Sequence, residues 1–330
     1  MTFKNSSASD PLELEYDEKT KAERYILIGW SVMVLVMNLA GNSIILISTL
    51  RYRAIRLDRV SILLIRNIAV SDILLALFAV HPNLVSLIWN KWPYGTFLCS
   101  MFASLGNVCG ISGILLVCAM HISKLLSLLY PLHSIGRTNR SGYLISISIW
   151  LLSAVSPIIN IIVDSESFYF DYKIYNCSYF YTNSIYKWLL PIKGLIFVLV
   201  PNLLVICTTI TLLSVVKRAT GRINRQGILT AVYVGCVYLI AFLPVALYMT
   251  FDLENGTVMT FMSPTAHHFF DVTVPKFVFN IIYVNGISNI FVYYISITSF
   301  KIFIKRVLCR HFRRFTSLGS FGRPESFEMR

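Results

Sequence analysis

Long apolar stretches, separated by short polar or charged segments, run through the chain of 330 residues. A helix needs about 20 mainly apolar residues to cross the hydrocarbon core of a bilayer, which is about 30 Å thick. Seven stretches reach this length. The pattern therefore predicts seven spanning helices, at about 25–50, 61–89, 99–130, 142–163, 186–216, 226–250 and 274–297.

The third stretch is the longest, and it carries no charge before Lys124. As a helix it extends roughly 48 Å at about 1.5 Å per residue. This length exceeds the hydrocarbon core, so we expect a tilted helix whose two ends protrude. One end begins at Cys99, and the other contains Ser123, Lys124 and Leu125.

The segments before and after the spans differ from them in character. Residues 1–24 are polar and acid-rich, which predicts a short disordered tail. Residues 300–315 alternate apolar and basic positions, a pattern typical of an amphipathic helix on a membrane surface. We predict an all-α membrane protein with a tail at 1–24, a seven-helix bundle at 25–298, and a short eighth helix with a C-terminal tail at 299–330.

The distribution of charge predicts the orientation of the chain. With the N-terminus outside, the external segments hold 12 acidic and 9 basic residues, and the internal segments hold 3 acidic and 20 basic residues. Cytoplasmic loops are enriched in lysine and arginine. We therefore predict a multi-pass protein of the plasma membrane, with an extracellular N-terminal tail and a cytoplasmic C-terminal tail.

The composition favours a membrane over nucleic acid as the partner of this basic chain. Only 14% of residues are charged, against about 25% in soluble domains. The bases that give the net charge of +13 lie in short segments between apolar stretches and in the tail. We expect the tail to bind anionic lipid and predict no nucleic-acid partner.

Cysteines and glycosylation motifs agree with this orientation. Cys99 and Cys177 both lie on the external side, where an oxidising environment permits the one disulfide that we predict. Cys309 follows the amphipathic segment and is either palmitoylated or an unmodified thiol. Three external sequons are candidate glycosylation sites, at Asn5, Asn176 and Asn255.

Several motifs together resemble the rhodopsin-like (class A) G-protein-coupled receptors over about residues 25–312. They are Gly41-Asn42, the run from Asn67 to Asp72, Trp92-Pro93-Tyr94-Gly95, Cys99 with Cys177, Trp150, Pro201, Pro244, and Asn289-Ile290-Phe291-Val292-Tyr293 followed by Phe300. The resemblance implies a receptor that transduces an extracellular ligand signal to a cytoplasmic heterotrimeric G protein. It implies no enzymatic activity, and no catalytic constellation is evident in the sequence.

Two other functions stay open. The first is a receptor-fold protein that does not couple and acts as a decoy, scaffold or dimer partner. The second is a transporter, which usually shows paired charges within its spans or internal repeats. Here Asp72 is nearly the only charge at mid-membrane depth, which disfavours the transporter.

The sequence departs from the family pattern at its activation switches. The family's Asp-Arg-Tyr falls at Ser123, Lys124 and Leu125, which keeps the base and loses its acid. Lys124 is either a contact for a partner's helix end or a lysine that anchors the helix at the interface. The other switch positions implied by the resemblance are Phe242, where many members have tryptophan, together with Pro244 and Tyr293.

A carboxylate at mid-membrane needs polar partners, because an unpaired charge in hydrocarbon is costly. Asn42, Asn285 and Asn289 are the candidate partners of Asp72 within the spans. The resemblance implies one hydrogen-bonded network that holds a sodium ion in relatives, although a serine expected there is Gly113. The site is thus either a structural hub or a sodium site, and we expect no other cofactor.

The ligand is harder to predict. Gly106 stands where amine receptors have aspartate, which disfavours a biogenic amine. Lys193 either pairs with an anionic ligand group or reaches the lipid headgroups. The aromatic first loop and the tyrosine-rich second loop favour a peptide. The candidate pocket residues are Asn107, Lys193, Tyr248 and Lys276, with Phe242, Tyr179, Tyr181 and Asp271 around them.

Overall fold

A computed structural model describes residues 11–51, 58–130, 139–163, 168–172, 174–179, 189–218, 225–250, 274–296, 300–302 and 304–305. Seven helices in this part of the chain are long and apolar enough to cross a membrane. They confirm the predicted seven-helix membrane fold. We number these spans in chain order: Lys21–Arg51, Arg59–Trp89, Gly95–Leu129, Arg140–Ile162, Pro191–Arg218, Ile228–Tyr248 and Val278–Ile295.

The helical segments have the following bounds: Pro11–Arg51, Arg59–Leu75, His81–Trp89, Gly95–Leu129, Asn139–Val163, Leu189–Gly194, Val200–Arg218, Arg225–Thr250, Val274–Ile282 and Val284–Ser296. A π-helical turn lies in the second span (Ala76–Val80) and another in the fifth (Leu195–Leu199). Pro82 and Pro201 follow these turns closely. Proline lacks an N–H and clashes with the preceding turn, so a locally widened helix accommodates it.

The first helix begins at Pro11, well before the predicted start of the first span at Tyr25. The prediction of a disordered tail over 1–24 was therefore wrong from Pro11 onwards. Proline is favoured at the first helical position, and the glutamates, leucines and lysines that follow have high helix propensity. The polar composition alone indicated a tail. The high helix propensity of these residues extends the first helix to Pro11, before the apolar stretch begins.

A short β-hairpin lies between the fourth and fifth spans, where the sequence suggested only a loop. Strand β1 (Phe168–Asp171) pairs antiparallel with strand β2 (Asn176–Tyr179). Phe168 lies opposite Tyr179, and Phe170 lies opposite Cys177. Aromatic residues favour strands, and this propensity was the signal that the loop prediction passed over.

The third span forms the centre of the bundle. Its buried side chains contribute to one large apolar core that also includes Leu64 and Tyr238 of the second and sixth spans. Polar side chains add links between spans: Trp150 Nε1 donates to Asn67 Oδ1 at 3.2 Å. Ser71 Oγ donates to the carbonyl of Cys109 at 2.7 Å. Such bonds hold helices together where lipid weakens the hydrophobic drive for association.

The outer surface of the bundle is apolar, as a membrane requires. Leu151 and Ile162 of the fourth span are 68% and 77% exposed, and Ile240 of the sixth span is 67% exposed. A water-soluble monomer rarely exposes apolar surface on this scale. The protein is therefore a multi-pass membrane protein.

The predicted eighth helix is not clearly shown. Residues 300–302 and 304–305 are helical, and Phe300 is buried with its ring 6.5 Å from that of Tyr293. The amphipathic helix therefore stays a prediction. Several predicted sites lie outside the described residues, namely Asn5, Tyr181, Asn255, Asp271 and Cys309.

The first and seventh spans pack closely because glycine leaves room for an asparagine. Asn38 Nδ2 donates to the carbonyl of Tyr283 at 3.1 Å. Asn42 Nδ2 donates to Asn38 Oδ1 at 3.0 Å and to the carbonyl of Gly286 at 3.1 Å. A Cβ at Gly286 would lie 1.9 Å from Asn38 Oδ1. Glycine at 286 therefore permits this pair of spans to meet.

We predict that Gly286→Ala destabilises the purified protein by about 1–3 kcal/mol, because the added methyl forces these two spans apart. Thermal unfolding in detergent measures the change. Gly29→Ala is the matched control, since a Cβ at Gly29 meets nothing within 4 Å. Equal melting temperatures for the two variants would contradict this packing.

Candidate functional site at the two ends of the third span

The third span runs between two ends of the bundle that differ in chemistry. We call the end near Cys99 the disulfide end and the end near Lys124 the basic end. At the basic end Lys124 is buried, with 6% of its surface exposed. Its ammonium forms a salt bridge and a hydrogen bond with Asp58 Oδ2. A lysine buried to this degree needs such a partner.

Asp58 is the N-cap of the second helix, and this role holds its carboxylate in place. The backbone N–H of Ser61 donates to Asp58 Oδ1 at 2.8 Å, and Ser61 Oγ donates to Asp58 Oδ2 at 2.9 Å. Asp58 itself has the extended conformation usual for an N-cap, with φ −65° and ψ 154°. The cap thus points a fixed carboxylate at the third span.

The charges around Asp58 keep its carboxylate ionised. Burial by itself would raise the pKa of Asp58, but the Lys124 ammonium and the two donors of Ser61 together lower this pKa below its ordinary value of 3.8. The carboxylate is therefore charged at neutral pH, and the salt bridge with Lys124 is present there.

Asp58 replaces the acid that is missing beside Lys124 in the sequence. The sequence next to Lys124 does not reveal this partner, because Asp58 lies 66 positions away in the chain. An aspartate just before a long apolar stretch, with a serine three residues later, is a signal for a helix N-cap. The role of Asp58 as N-cap of the second helix was therefore predictable. The pairing with Lys124 was not, because it depends on how the second and third spans pack.

The residues on either side of Lys124, Ser123 and Leu125, contribute to the packing of the bundle. Ser123 is buried, and its carbonyl accepts a hydrogen bond from Ser127 Oγ at 2.8 Å. Leu125 packs against the apolar core. Lys124 is therefore the charged residue of this predicted switch triplet.

At mid-membrane, Asp72 is buried and accepts a hydrogen bond from Asn289 Nδ2 at 2.6 Å. Asn42 donates to the backbone of the first and seventh spans instead. The side-chain oxygen of Asn285 is buried and has no hydrogen-bond partner among the described residues. The structure thus gives Asp72 a hydrogen bond from Asn289 and none from the other two predicted partners.

The hydroxyls near Gly113 bear on the sodium hypothesis. Ser71 Oγ and Ser112 Oγ lie 3.0 Å apart, and both donate to the carbonyl of Cys109. A Cβ at Gly113 would meet Ser71 Oγ at 3.4 Å. Both serine hydroxyls thus bond to the backbone, and Gly113 supplies no side-chain oxygen. The structural hub and the sodium site both stay predictions.

The remaining predicted switch residues lie in the sixth and seventh spans. Phe242 is buried, and its ring stacks on that of Tyr238 at 4.6 Å. Pro244 lies within the sixth helix. Tyr293 is buried, and its hydroxyl has no hydrogen-bond partner among the described residues. These residues form part of the packed interior that a conformational change would rearrange.

His121 is a residue that the sequence analysis missed. It is fully buried, and its Nδ1 lies 3.3 Å from Thr208 Oγ1 and 3.4 Å from Thr209 Oγ1. A Cβ at Gly235 would lie 2.4 Å from the imidazole ring. His121 therefore joins the third, fifth and sixth spans through a notch that glycine provides. No sequence pattern signals a histidine placed opposite a glycine on another helix.

At the disulfide end, Cys99 and Cys177 form a disulfide with their Cα atoms 5.4 Å apart, as predicted. It ties β2 to the start of the third span. Tyr179 Oη donates to the carbonyl of Ala103 at 3.0 Å, and Asn83 Nδ2 donates to the carbonyl of Ile174 at 2.9 Å. These contacts fix the hairpin to the second and third spans.

Aromatic rings pack beside this disulfide. The ring of Trp92 lies 5.3 Å from Tyr94, 6.0 Å from Phe102 and 6.4 Å from Phe170 between ring centroids. Trp92 Nε1 donates to the carbonyl of Gly95 at 2.7 Å. The aromatic loop that followed the second span in the sequence is thus an ordered cluster joined to β1.

The predicted pocket residues have different surroundings. Lys193 is buried and donates to Asn160 Oδ1 at 2.5 Å. Tyr248 is buried, with its ring 6.2 Å from that of Phe279. Lys276 Nζ forms a salt bridge with Glu23 Oε1 at 2.9 Å. Lys276 is therefore engaged by the first helix, whereas Lys193 has a neutral partner.

Gly106, which disfavours a biogenic amine as ligand, packs against the second span. A Cβ at Gly106 would lie 3.4 Å from the Cβ of Ala79 and 3.5 Å from the carbonyl oxygen of Phe78. Among the candidate glycosylation sites, Asn176 lies in β2 and its Nδ2 donates to the carbonyl of Ala79 at 3.4 Å. Glycosylation of Asn176 stays a prediction.

Comparison with known families gives one match that covers most of the chain. The family described as "7 transmembrane receptor (rhodopsin family)" matches residues 41–300. This range includes all seven spans in whole or in part, the hairpin and both ends of the third span. The match agrees with the resemblance that the motifs indicated.

Individual relatives match over shorter regions. A probable G-protein coupled receptor No18 from Amphibalanus amphitrite is 28% identical over 152 residues, which are 46% of this chain and 38% of the relative. The C-X-C chemokine receptor type 1 of Macaca mulatta is 27% identical over 46% of this chain and 43% of its own length. The octopamine receptor beta-1R of Drosophila melanogaster is 25% identical over 39% of this chain and 25% of its own length.

We predict that Asp58 and Lys124 stabilise the fold as a coupled pair. Asp58→Asn and Lys124→Met should each lower the melting temperature of the purified protein at pH 7. In a double-mutant cycle their coupling should be about 1 kcal/mol, since Asp58 is 42% exposed. Lys217→Met is the control, because Lys217 is exposed and its effect should add to that of Asp58→Asn.

The pH dependence of this pair follows from the lowered pKa of Asp58. A carboxyl whose pKa falls on folding contributes stability above its unfolded pKa, and this contribution disappears as the pH drops through the folded pKa. The coupling should therefore be constant from pH 5 to 8 and disappear only below about 3.8. A coupling of zero at pH 7 would contradict the pair.

Proposed function

Since the chain belongs to the rhodopsin family of seven-transmembrane receptors, we propose that it transduces the binding of an extracellular ligand to a heterotrimeric G protein. The matched relatives overlap it over less than half of their own lengths, so their ligands and partners are not transferred. The observation that carries the proposal is the salt bridge between Asp58 and Lys124.

This salt bridge supplies a resting state. It holds the Lys124 ammonium against the N-cap of the second helix, where the charge is buried and paired. A two-state receptor needs a contact that one state has and the other lacks. Asp58 is half-exposed, so its carboxylate returns to water without a large desolvation penalty when the pair breaks.

Release of Lys124 would supply the active state. A free ammonium at the basic end matches the carbonyl groups at the C-terminus of a partner's helix, where the helix dipole favours a cation. Lysine lacks the planar, five-donor fork of arginine, so we expect a weaker and less directional contact than an arginine makes. In this proposal Lys124 keeps the charge of the family's switch, and Asp58 provides its restraint.

The proposal places the basic end in the cytoplasm and the disulfide end outside the cell. Arginines and lysines cluster in the segments that join the spans at the basic end, and positively charged segments favour the cytoplasmic side. A disulfide at the other end suits an oxidising exterior. The N-terminus then lies outside, in the plasma membrane.

For the ligand we propose a peptide. Gly106 packs against Ala79 and Phe78 of the second span, and glycine lacks the carboxylate that amine receptors have at this position. The cluster around Trp92 and the hairpin form an ordered aromatic surface beside the disulfide, which suits the apolar and aromatic side chains of a peptide. One relative is named for a chemokine and another for octopamine, so the relatives alone do not discriminate.

The second candidate function is a receptor-fold protein that does not couple. The departures at Lys124 and Phe242 favour it, because both positions belong to the family's switch. The two candidates differ in one property, which is nucleotide exchange on a G protein. A transporter is disfavoured because Asp72 pairs, among the described residues, with the neutral Asn289 and not with a second charge.

We predict that Asp58→Asn raises ligand-independent nucleotide exchange several-fold, because it removes the restraint on Lys124. The measurement uses membranes that contain the full chain, with purified heterotrimeric G proteins of each main class. Ser61→Ala is the matched control, since it removes the Oγ donor to Asp58 Oδ2 but keeps the backbone N–H donor to Oδ1 and the salt bridge.

Variants of Lys124 complete this experiment. Lys124→Arg keeps a cation and should support exchange, whereas Lys124→Met should reduce exchange at least tenfold. Absence of exchange on every class of G protein, for wild type and Lys124→Arg alike, would reject coupling. The non-coupling candidate would then be the better account.

A further inference from the structure

We infer, resting on the receptor function proposed above, that the ligand carries a carboxylate that pairs with Lys193 between the fourth span, the fifth span and β2.

Lys193 is buried near the disulfide end of the fifth span. Only 8% of its surface is exposed, and the span itself begins at Pro191. The side chain therefore does not extend to the lipid headgroups. Burying an ammonium in an apolar environment is costly unless an opposite charge or several hydrogen bonds compensate it.

Lys193 contacts two neutral groups among the described residues. Its Nζ donates to Asn160 Oδ1 at 2.5 Å and lies 5.2 Å from the centre of the Tyr179 ring. An amide oxygen and a ring face attract a cation and fix its position. They leave its unit charge uncompensated.

The other partly or fully buried lysines of the described chain have carboxylate partners. Lys124 pairs with Asp58, and Lys276 pairs with Glu23. No acidic side chain of the described residues forms such a salt bridge with Lys193. The contrast indicates a cation held in position for an anion that the described part of the bundle does not supply.

Polar groups on the third span lie near the same place. Tyr179 connects the third and fifth spans, since its ring faces Lys193 and its hydroxyl donates to the carbonyl of Ala103. Asn107 lies one helical turn from Ala103 on the same face. The buried oxygens Asn107 Oδ1 and Ser104 Oγ have no hydrogen-bond partner among the described residues. They can bond polar groups that neighbour the carboxylate of a ligand.

The charge balance selects a singly charged acid. One ammonium compensates one negative charge, and the neighbouring Asn160 and Tyr179 add no second cation. A phosphate with two charges would remain half compensated in this environment. A cationic amine would be repelled by Lys193 and finds no acid at Gly106. A peptide with a free C-terminus or an acidic side chain meets these requirements.

The test uses the full chain, purified in lipid nanodiscs, and pools of short peptides with free C-termini. Each pool has a matched pool with amidated C-termini and with glutamine and asparagine in place of the acids. Thermal stabilisation of the receptor reports binding. We expect the acidic pools to bind wild type at least tenfold more tightly than the neutral pools, and this preference should disappear in Lys193→Met.

Control variants separate the pairing from general effects. Lys217→Met should keep the preference, because Lys217 is exposed at the opposite end of the fifth span. Lys193→Gln replaces the methionine variant if that variant does not fold. The inference is overturned if no acidic pool binds wild type better than its neutral match, or if the preference persists without Lys193. Because binding is measured without a G protein, failure of coupling and failure of this inference are distinguishable.

Discussion

A charge inside a hydrocarbon layer must find a partner, and this constraint shapes both ends of the third span. At the basic end the buried Lys124 is neutralised by Asp58, an N-cap that belongs to another helix. At mid-membrane Asp72 accepts a short hydrogen bond from Asn289. At the disulfide end Lys193 contacts an amide oxygen and an aromatic ring. Among the described residues, the three sites thus range from a charge with a carboxylate partner to a charge with neutral partners.

The same span connects the disulfide end of the bundle with the basic end. Between its ends, His121 fills the notch at Gly235 and joins the third, fifth and sixth spans. A shift of the sixth span against the third must therefore move the imidazole or the glycine-containing turn. Packed interiors of this kind prefer discrete arrangements over continuous deformation, which is the behaviour that a two-state receptor needs.

How much of this was predictable depends on how local each signal is. Apolar length placed seven spans to within a few residues, since length and hydropathy are properties of single segments. The Cys99–Cys177 disulfide was predicted because both cysteines lie on one side. The partner of Lys124 was not predictable, since it requires the packing of two spans. The contact of His121 with Gly235 also depends on the packing of two spans. The hairpin was not predicted because its strands are short and lie in a segment with the composition of a loop.

The central claim is that Asp58 restrains Lys124 and with it the resting state. Pulsed electron paramagnetic resonance tests this claim most directly, by measuring the distance between two spin labels near the basic end. The labels replace two exposed residues, Leu144 on the fourth span and Tyr233 on the sixth. The labels are introduced in a background without other exposed cysteines. The account predicts that Asp58→Asn adds a population with a longer distance, as the sixth span moves outward. Identical distance distributions for wild type and Asp58→Asn would contradict it.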